Sequence, residues 1–167
     1  AIPSSFILKK TGYKNGMAVG LVVMSIGCLV FIPAATSRSF SLFLTGLFIQ
    51  GAGLALLQTA SNPYISIVGP IESAAKRISI MGLCNKIAGA LSPLIIGAIV
   101  LKDAAQLEAA IIAETDPAAK DILLNQLTSR IINPYIVIAI ILLVLAFIIK
   151  RSSLPEIESE DNIQQKT

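Results

Sequence analysis

Four long stretches of this chain are almost free of charge, and its ionisable residues collect between them. The first lies between Lys14 and Arg38, centred on Met17 to Pro33, and the second between Arg38 and Glu72, with a core from Leu42 to Thr59. The third runs from about Ile78 to Leu101 with one charge, Lys86, and the fourth from Ile131 to Ile149, bounded by Arg130 and Lys150. The fourth holds 149 − 130 = 19 uncharged residues, close to the about 20 that a helix needs to cross a hydrocarbon core of about 30 Å. Barrel strands would alternate apolar and polar positions, but the run Ile138 to Leu145 does not alternate. In lipid an open strand leaves its backbone groups unpaired, whereas a helix satisfies them internally. The pattern therefore predicts four membrane-spanning helices at about 16–35, 41–61, 79–101 and 131–149: an all-α, polytopic membrane helical bundle.

The segments outside the spans complete the organisation. Residues 1–14 read as the end of a preceding transmembrane helix and a basic cytoplasmic loop. The chain starts at Ala1 without Met and is apolar at once, so it is expected to be a piece of a longer protein. Residues 102–130 form a long outer loop, in which Ala104 to Ala113 is rich in helix formers and Asp116-Pro117 reads as an N-cap followed by the first helical residue. Residues 152–167 are polar, carry Glu156, Glu158, Glu160 and Asp161, and read as a flexible cytoplasmic linker.

Composition agrees with a lipid solvent: 54% of the 167 residues are hydrophobic and 14% charged, against about 25% charged in soluble domains. The net charge of +3 does not point to nucleic acid, because the basic residues are scattered and lack interleaved aromatics. Cys28 and Cys84 lie in apolar runs without metal-ligand or disulfide spacing and read as small buried hydrophobes. With no His and no plausible nucleophile–base pair, no enzyme, metal or cofactor chemistry is expected.

Charge also orients the spans. With the N-terminal end inside, Lys9, Lys10, Lys14, Lys76, Arg77, Lys150 and Arg151 are cytoplasmic, and Arg38, Lys102, Lys120 and Arg130 are outside. Seven against four fits the preference of basic residues for the cytoplasmic side and places both ends of the segment there.

Several spans carry small residues: Gly16 and Gly20, then Gly46, Ala52 and Gly53, then Ala88, Gly89, Ala90 and Gly97. Such faces let membrane helices approach closely. Pro63 and Pro93 are the expected helix breaks. Gln58 and Asn62, four apart, share one helical face. Their amides both donate and accept hydrogen bonds, which suits a neutral, hydroxyl-rich ligand and equally suits bonding between helices. Asn85 and Lys86 follow in the third span. An ammonium at membrane depth is costly; about 9 residues, or about 13 Å of helix, separate Lys86 from Arg77, so its stem either snorkels inward or its charge meets a water-lined cavity or a counter-charge. No Asp or Glu lies within the four spans.

The string Gly51 to Tyr64, ending Leu57-Gln58-Thr59-Ala60-Ser61-Asn62-Pro63-Tyr64, then Gly69-Pro70 and Lys76-Arg77, resembles the fucose and glucose/galactose permease family of the major facilitator superfamily. The resemblance extends over essentially the whole chain, including Lys9-Lys10 and Asn133-Pro134-Tyr135. It implies a fold of twelve helices in two halves, of which this chain holds helices three to six. It also implies inward transport of hexoses or deoxyhexoses, often with protons. In the fucose branch a Glu stands where this chain has Gln58, and a sugar-contacting glutamine where it has Gly82; Asn85 matches a sugar-contacting asparagine. Lys86 takes the place of a small polar residue. The family's acid in helix one is not in this chain, and the loop Lys9 to Lys14 has no Asp for the usual gate relay. The expected function is thus part of a cation-coupled symporter of a neutral, glucose/galactose-type hexose in the bacterial inner membrane, its partners being the sugar, the bilayer and the remaining helices. Gln58, Asn62 and Asn85 would bind substrate, and Lys86 would have an ion or gating role. A fucose-type proton symporter and a non-transporting structural membrane protein are the alternatives.

Overall fold

The computed structural model describes residues 2–100 and 104–155, and these described residues form five α-helices. Helix α1 spans Ile2–Thr36, α2 Phe40–Ile67, α3 Ala74–Val100, α4 Ala104–Ala113 and α5 Pro117–Arg151, with one 3₁₀ turn, Ile71–Ser73, leading into α3. Four segments are long and apolar enough to cross a membrane: Thr11–Thr36, Phe40–Ile67, Ile71–Ala98 and Pro117–Arg151.

Helix α1 is interrupted at Gly12, whose φ of 74° and ψ of 170° lie outside the helical region and are readily available only without a Cβ. The break folds the first turns back, so that Leu8 reaches Gly16 and is buried. Beyond it, α1 is the hub of the bundle and packs along both α2 and α5. At its other end a Schellman turn closes the helix: Ser39 N donates to Ala34 O at 3.0 Å and Arg38 N to Ala35 O at 3.3 Å. Arg38 occupies the left-handed position with φ 50°, where glycine is usual.

The α1–α2 crossing explains most of the small residues. A Cβ on Gly20 would lie 2.9 Å from Leu57 N and 3.0 Å from Gly53 O, and one on Gly53 would lie 2.7 Å from Met24 N and 2.8 Å from Gly20 O. Seven residues along, a Cβ on Gly27 would lie 2.9 Å from Gln50 N and 3.1 Å from Gly46 O. Two reciprocal glycine pairs, 20 with 53 and 27 with 46, thus set the approach of antiparallel helices. Gly16, Gly20, Gly46 and Gly53 were legible as a packing face; Gly27 joins them, whereas Ala52 is exposed. On α3, Gly82 and Gly89 have nothing within 4 Å, so the small face of that helix is unpartnered among the described residues.

Helix α5 crosses α1 on its other side. Ser25 Oγ, with the residue 1% exposed, donates to Ala139 O at 3.1 Å, and Phe31 packs on Tyr135 with ring centroids 4.5 Å apart. Asp116 caps α5 as its sequence predicts: its carboxylate accepts from Ala118 N at 3.2 Å, and Pro117 occupies the first turn. The helix then runs unbroken to Arg151 through Pro134. A separate loop helix and span are expected here; the structure joins them, because nothing between Ile122 and Arg130 offers a glycine or proline stop.

The prolines require a second correction. Pro63 and Pro93 lie inside α2 and α3, and neither breaks its helix. Each removes one donor, to the carbonyl four residues back at Thr59 or Gly89. Continuing the helix keeps the remaining backbone groups paired, which hydrocarbon makes the cheaper course.

Two sets of polar contacts tie the helices at opposite ends. At one end Arg38 pairs with Asp121 at 3.2 Å. At the other, Lys14 Nζ donates to Ser152 O at 2.8 Å and Tyr64 OH to Pro155 O at 3.1 Å. Leu154 packs there against the cluster of Leu8, Met17, Leu56, Ala60 and Tyr64. The expected flexible linker therefore begins as a docked strap over residues 152–155; residues 156–167, with the acidic run, lie outside the described residues. At the same end Arg77 closes the α2–α3 turn: Nε donates to Ile65 O at 2.9 Å, and its guanidinium nitrogens donate to Ser66 O and Pro70 O, both at 3.0 Å. The carbonyls of Ile65 and Ser66 belong to the last turn of α2, where helical partners run out, and a cation there also meets the negative end of the α2 dipole.

Candidate functional site

A cleft of about 390 Å³ opens between α2 and α3. From α2 it receives Gln58, Ser61 and Asn62, and from α3 Gly82, Cys84 and Asn85, with Leu54, Leu57, Met81 and Ala88 completing the wall. Helical spacing explains the set. Positions 54, 58, 61 and 62 fall on one side of α2, and 81, 82, 85 and 88 on one side of α3. The three amides named from the sequence, Gln58, Asn62 and Asn85, line this one cleft, and all three are exposed in this chain.

Among the described residues, none that lines the cleft is charged. It offers amide donors and acceptors, a hydroxyl and a thiol among aliphatic side chains. Such a surface can exchange hydrogen bonds with a neutral polyol and gives an anion no compensating charge. Gly82 contributes space: a Cβ there would meet nothing within 4 Å.

Ser61, which carried no expectation from the sequence, and Cys84, expected to be a small buried hydrophobe, also line the cleft. Ser61 follows Gln58 by three residues, a spacing that could have revealed it. Cys84 differs from its expected role: it is exposed, while Cys28 is buried and its Sγ accepts from Gln50 Nε2 at 2.8 Å. Lys86 is exposed on α3 and does not line the cleft. Of the two expected break points, neither Pro63 nor Pro93 lines it either.

Long apolar helices, two of them joined through a glycine face, with an uncharged polar cleft between α2 and α3, define a multi-pass membrane protein. Residues 1–165 match the Major Facilitator Superfamily, and the chain belongs to that family. It is 34% identical over 161 residues to the glucose/galactose transporter of Brucella abortus biovar 1 (strain 9-941), covering 96% of this chain and 35% of that protein. It is 30% identical over 166 residues to the L-fucose-proton symporter of Escherichia coli (strain K12), covering 99% of this chain and 38% of that protein. Its fold matches the crystal structure of the E. coli fucose:proton symporter FucP with a TM-score of 0.75 and 29% identity, over 95% of this chain and 40% of that one. The chain therefore spans little more than a third of the length of these relatives.

Proposed function

We propose that this chain forms part of a permease that carries a neutral hexose of the glucose/galactose type across the bacterial inner membrane, coupled to a cation. The observation that carries the reading is the convergence of Gln58, Asn62 and Asn85 on one uncharged cleft. Similarity to proteins named as a glucose/galactose transporter and an L-fucose-proton symporter supports the sugar class. An uncharged amide at position 58 and the space at Gly82 favour a fully hydroxylated hexose. Lys86 is assigned an ion or gating role, since residues 16–35, 41–61, 79–101 and 131–149 contain no acid. Both ends of the segment are cytoplasmic on this reading. The end holding Lys14, Lys76, Arg77, Lys150 and Arg151 carries most of the basic charge and also the strap.

The test is uptake of radiolabelled glucose, galactose and fucose by the complete protein in cells that lack their own hexose carriers. Glucose or galactose uptake that falls at least about 10-fold on Asn62→Leu or Asn85→Leu, the loss of about 1.4 kcal/mol or more of binding, is the expected result. Uptake of fucose alone would move the assignment to the fucose branch. Hexose uptake untouched by both substitutions would remove the cleft from the function.

A further inference from the structure

We infer that Lys86 marks the seat of another membrane helix, and that this helix brings a carboxylate, from outside residues 1–167, into contact with its ammonium. The inference rests on the membrane reading of α3 and does not need the sugar assignment.

Depth comes first. Lys86 is 12 residues from Ala74 and 14 from Val100, the ends of α3, or about 18 and about 21 Å at the helical rise. It is also 9 residues, about 13 Å, past Arg77, whose guanidinium is fixed on the carbonyls of the α2–α3 turn. If that turn marks the membrane surface, Lys86 lies close to the middle of a hydrocarbon layer about 30 Å thick. A four-carbon stem covers only part of the way out, so snorkelling does not resolve the cost of the charge.

The face that carries Lys86 is built for contact. Positions 82, 86, 89 and 93 share one side of the helix. Gly82 and Gly89, flanking the lysine, have nothing within 4 Å, although glycine weakens a helix interior by about 0.5–1 kcal/mol relative to alanine. The glycines of α1 and α2 show what such positions accommodate, since there backbone meets backbone. An opposing helix seated over Gly89, which lies outside the cleft, would approach closely enough for a direct ion pair with Lys86 one turn away.

Charge complementarity identifies the partner. Between Lys14 and Arg38, between Arg38 and Glu72, and from Ile131 to Ile149 the sequence contains no acid. The ion pair among the described residues, Arg38 with Asp121, lies at a helix end. Among the described residues this chain thus supplies no carboxylate at that depth, while its matched relatives extend over more than twice its length.

The test uses the complete protein in detergent, with thermal midpoints as the readout. Removing one partner of a buried pair leaves an uncompensated charge, whereas removing both is often neutral. Lys86→Gln is expected to lower the midpoint by several degrees and Lys86→Arg to keep it. Each Asp or Glu within a membrane span outside residues 1–167 is then neutralised, alone and with Lys86→Gln. One acid should lower the midpoint by itself and restore it in the double variant. Strict additivity for every acid, no effect of Lys86→Gln, or a complete sequence with no intramembrane acid would each overturn the inference. Because the readout is melting, a protein that carries no hexose still decides it.

Discussion

The crossing of α1 and α2 yields a quantitative expectation from a single methyl group. In Gly53→Ala the added Cβ would sit 2.7 Å from Met24 N and 2.8 Å from Gly20 O. Both are backbone atoms, so relief requires the two helices to separate. Gly51→Ala, two residues away on the same helix, places its methyl where nothing lies within 4 Å. Both substitutions gain the same helix propensity, about 0.8–1 kcal/mol, and the difference between them isolates the cost of close approach. Overpacking of this kind typically costs about 1–3 kcal/mol. For a chain of this size about 1 kcal/mol corresponds to about 2–4 °C, so Gly53→Ala should melt about 2–12 °C below Gly51→Ala. Thermal unfolding of the purified chain in detergent micelles, followed by far-ultraviolet circular dichroism, makes the comparison. Equal midpoints for the two variants would refute the reciprocal-glycine account of the crossing.

Other expectations concern the helix ends and the two thiols. Arg77→Gln should destabilise by about 1–3 kcal/mol, since it strips charge-assisted bonds from carbonyls of the last turn of α2 and of the following turn; Arg77→Lys should recover only part of this, because an ammonium cannot span the same carbonyls. Arg38→Gly should be neutral or stabilising by up to about 1 kcal/mol in the same melting assay. It relieves a left-handed backbone at φ 50° and gives up a pair whose side chains are 47% and 65% exposed, a class worth about 0–1 kcal/mol. Maleimide labelling of the folded chain should modify Cys84 and spare Cys28, with Cys28 reacting only on unfolding, because the first is exposed and the second buried.

Much of the architecture was legible because lipid leaves few options. Charge-free runs near the length of a bilayer gave the helices, and the Asp116-Pro117 pair gave the start of α5. Helix ends were less legible. Proline is a stop signal in water, yet α2 continues past Pro63 and α5 past Pro134, since an apolar medium penalises abandoned backbone more than a single lost bond. The grouping of Gln58, Asn62 and Asn85 could be anticipated only in part. Spacing places the first two on one face, but facing α3 across a cleft is a property of the crossing of the two helices. Pairing was likewise invisible: glycine content predicts close approach somewhere, while the match of Gly20 with Gly53 and Gly27 with Gly46 depends on register. Cys84 illustrates the limit of hydropathy, which places a residue in a span without stating whether it points into the bundle or away from it.

The docked strap relocates the point at which the chain leaves the bundle. Helix α5 ends at Arg151, but Ser152 is held by Lys14 of α1 and Pro155 by Tyr64 of α2. A pull on the polypeptide at Pro155 is therefore delivered sideways to α2, two residues from Asn62, before it reaches the last turn of α5. The tether and the cleft share one lever arm, so a load on the first bears directly on the helix that shapes the second.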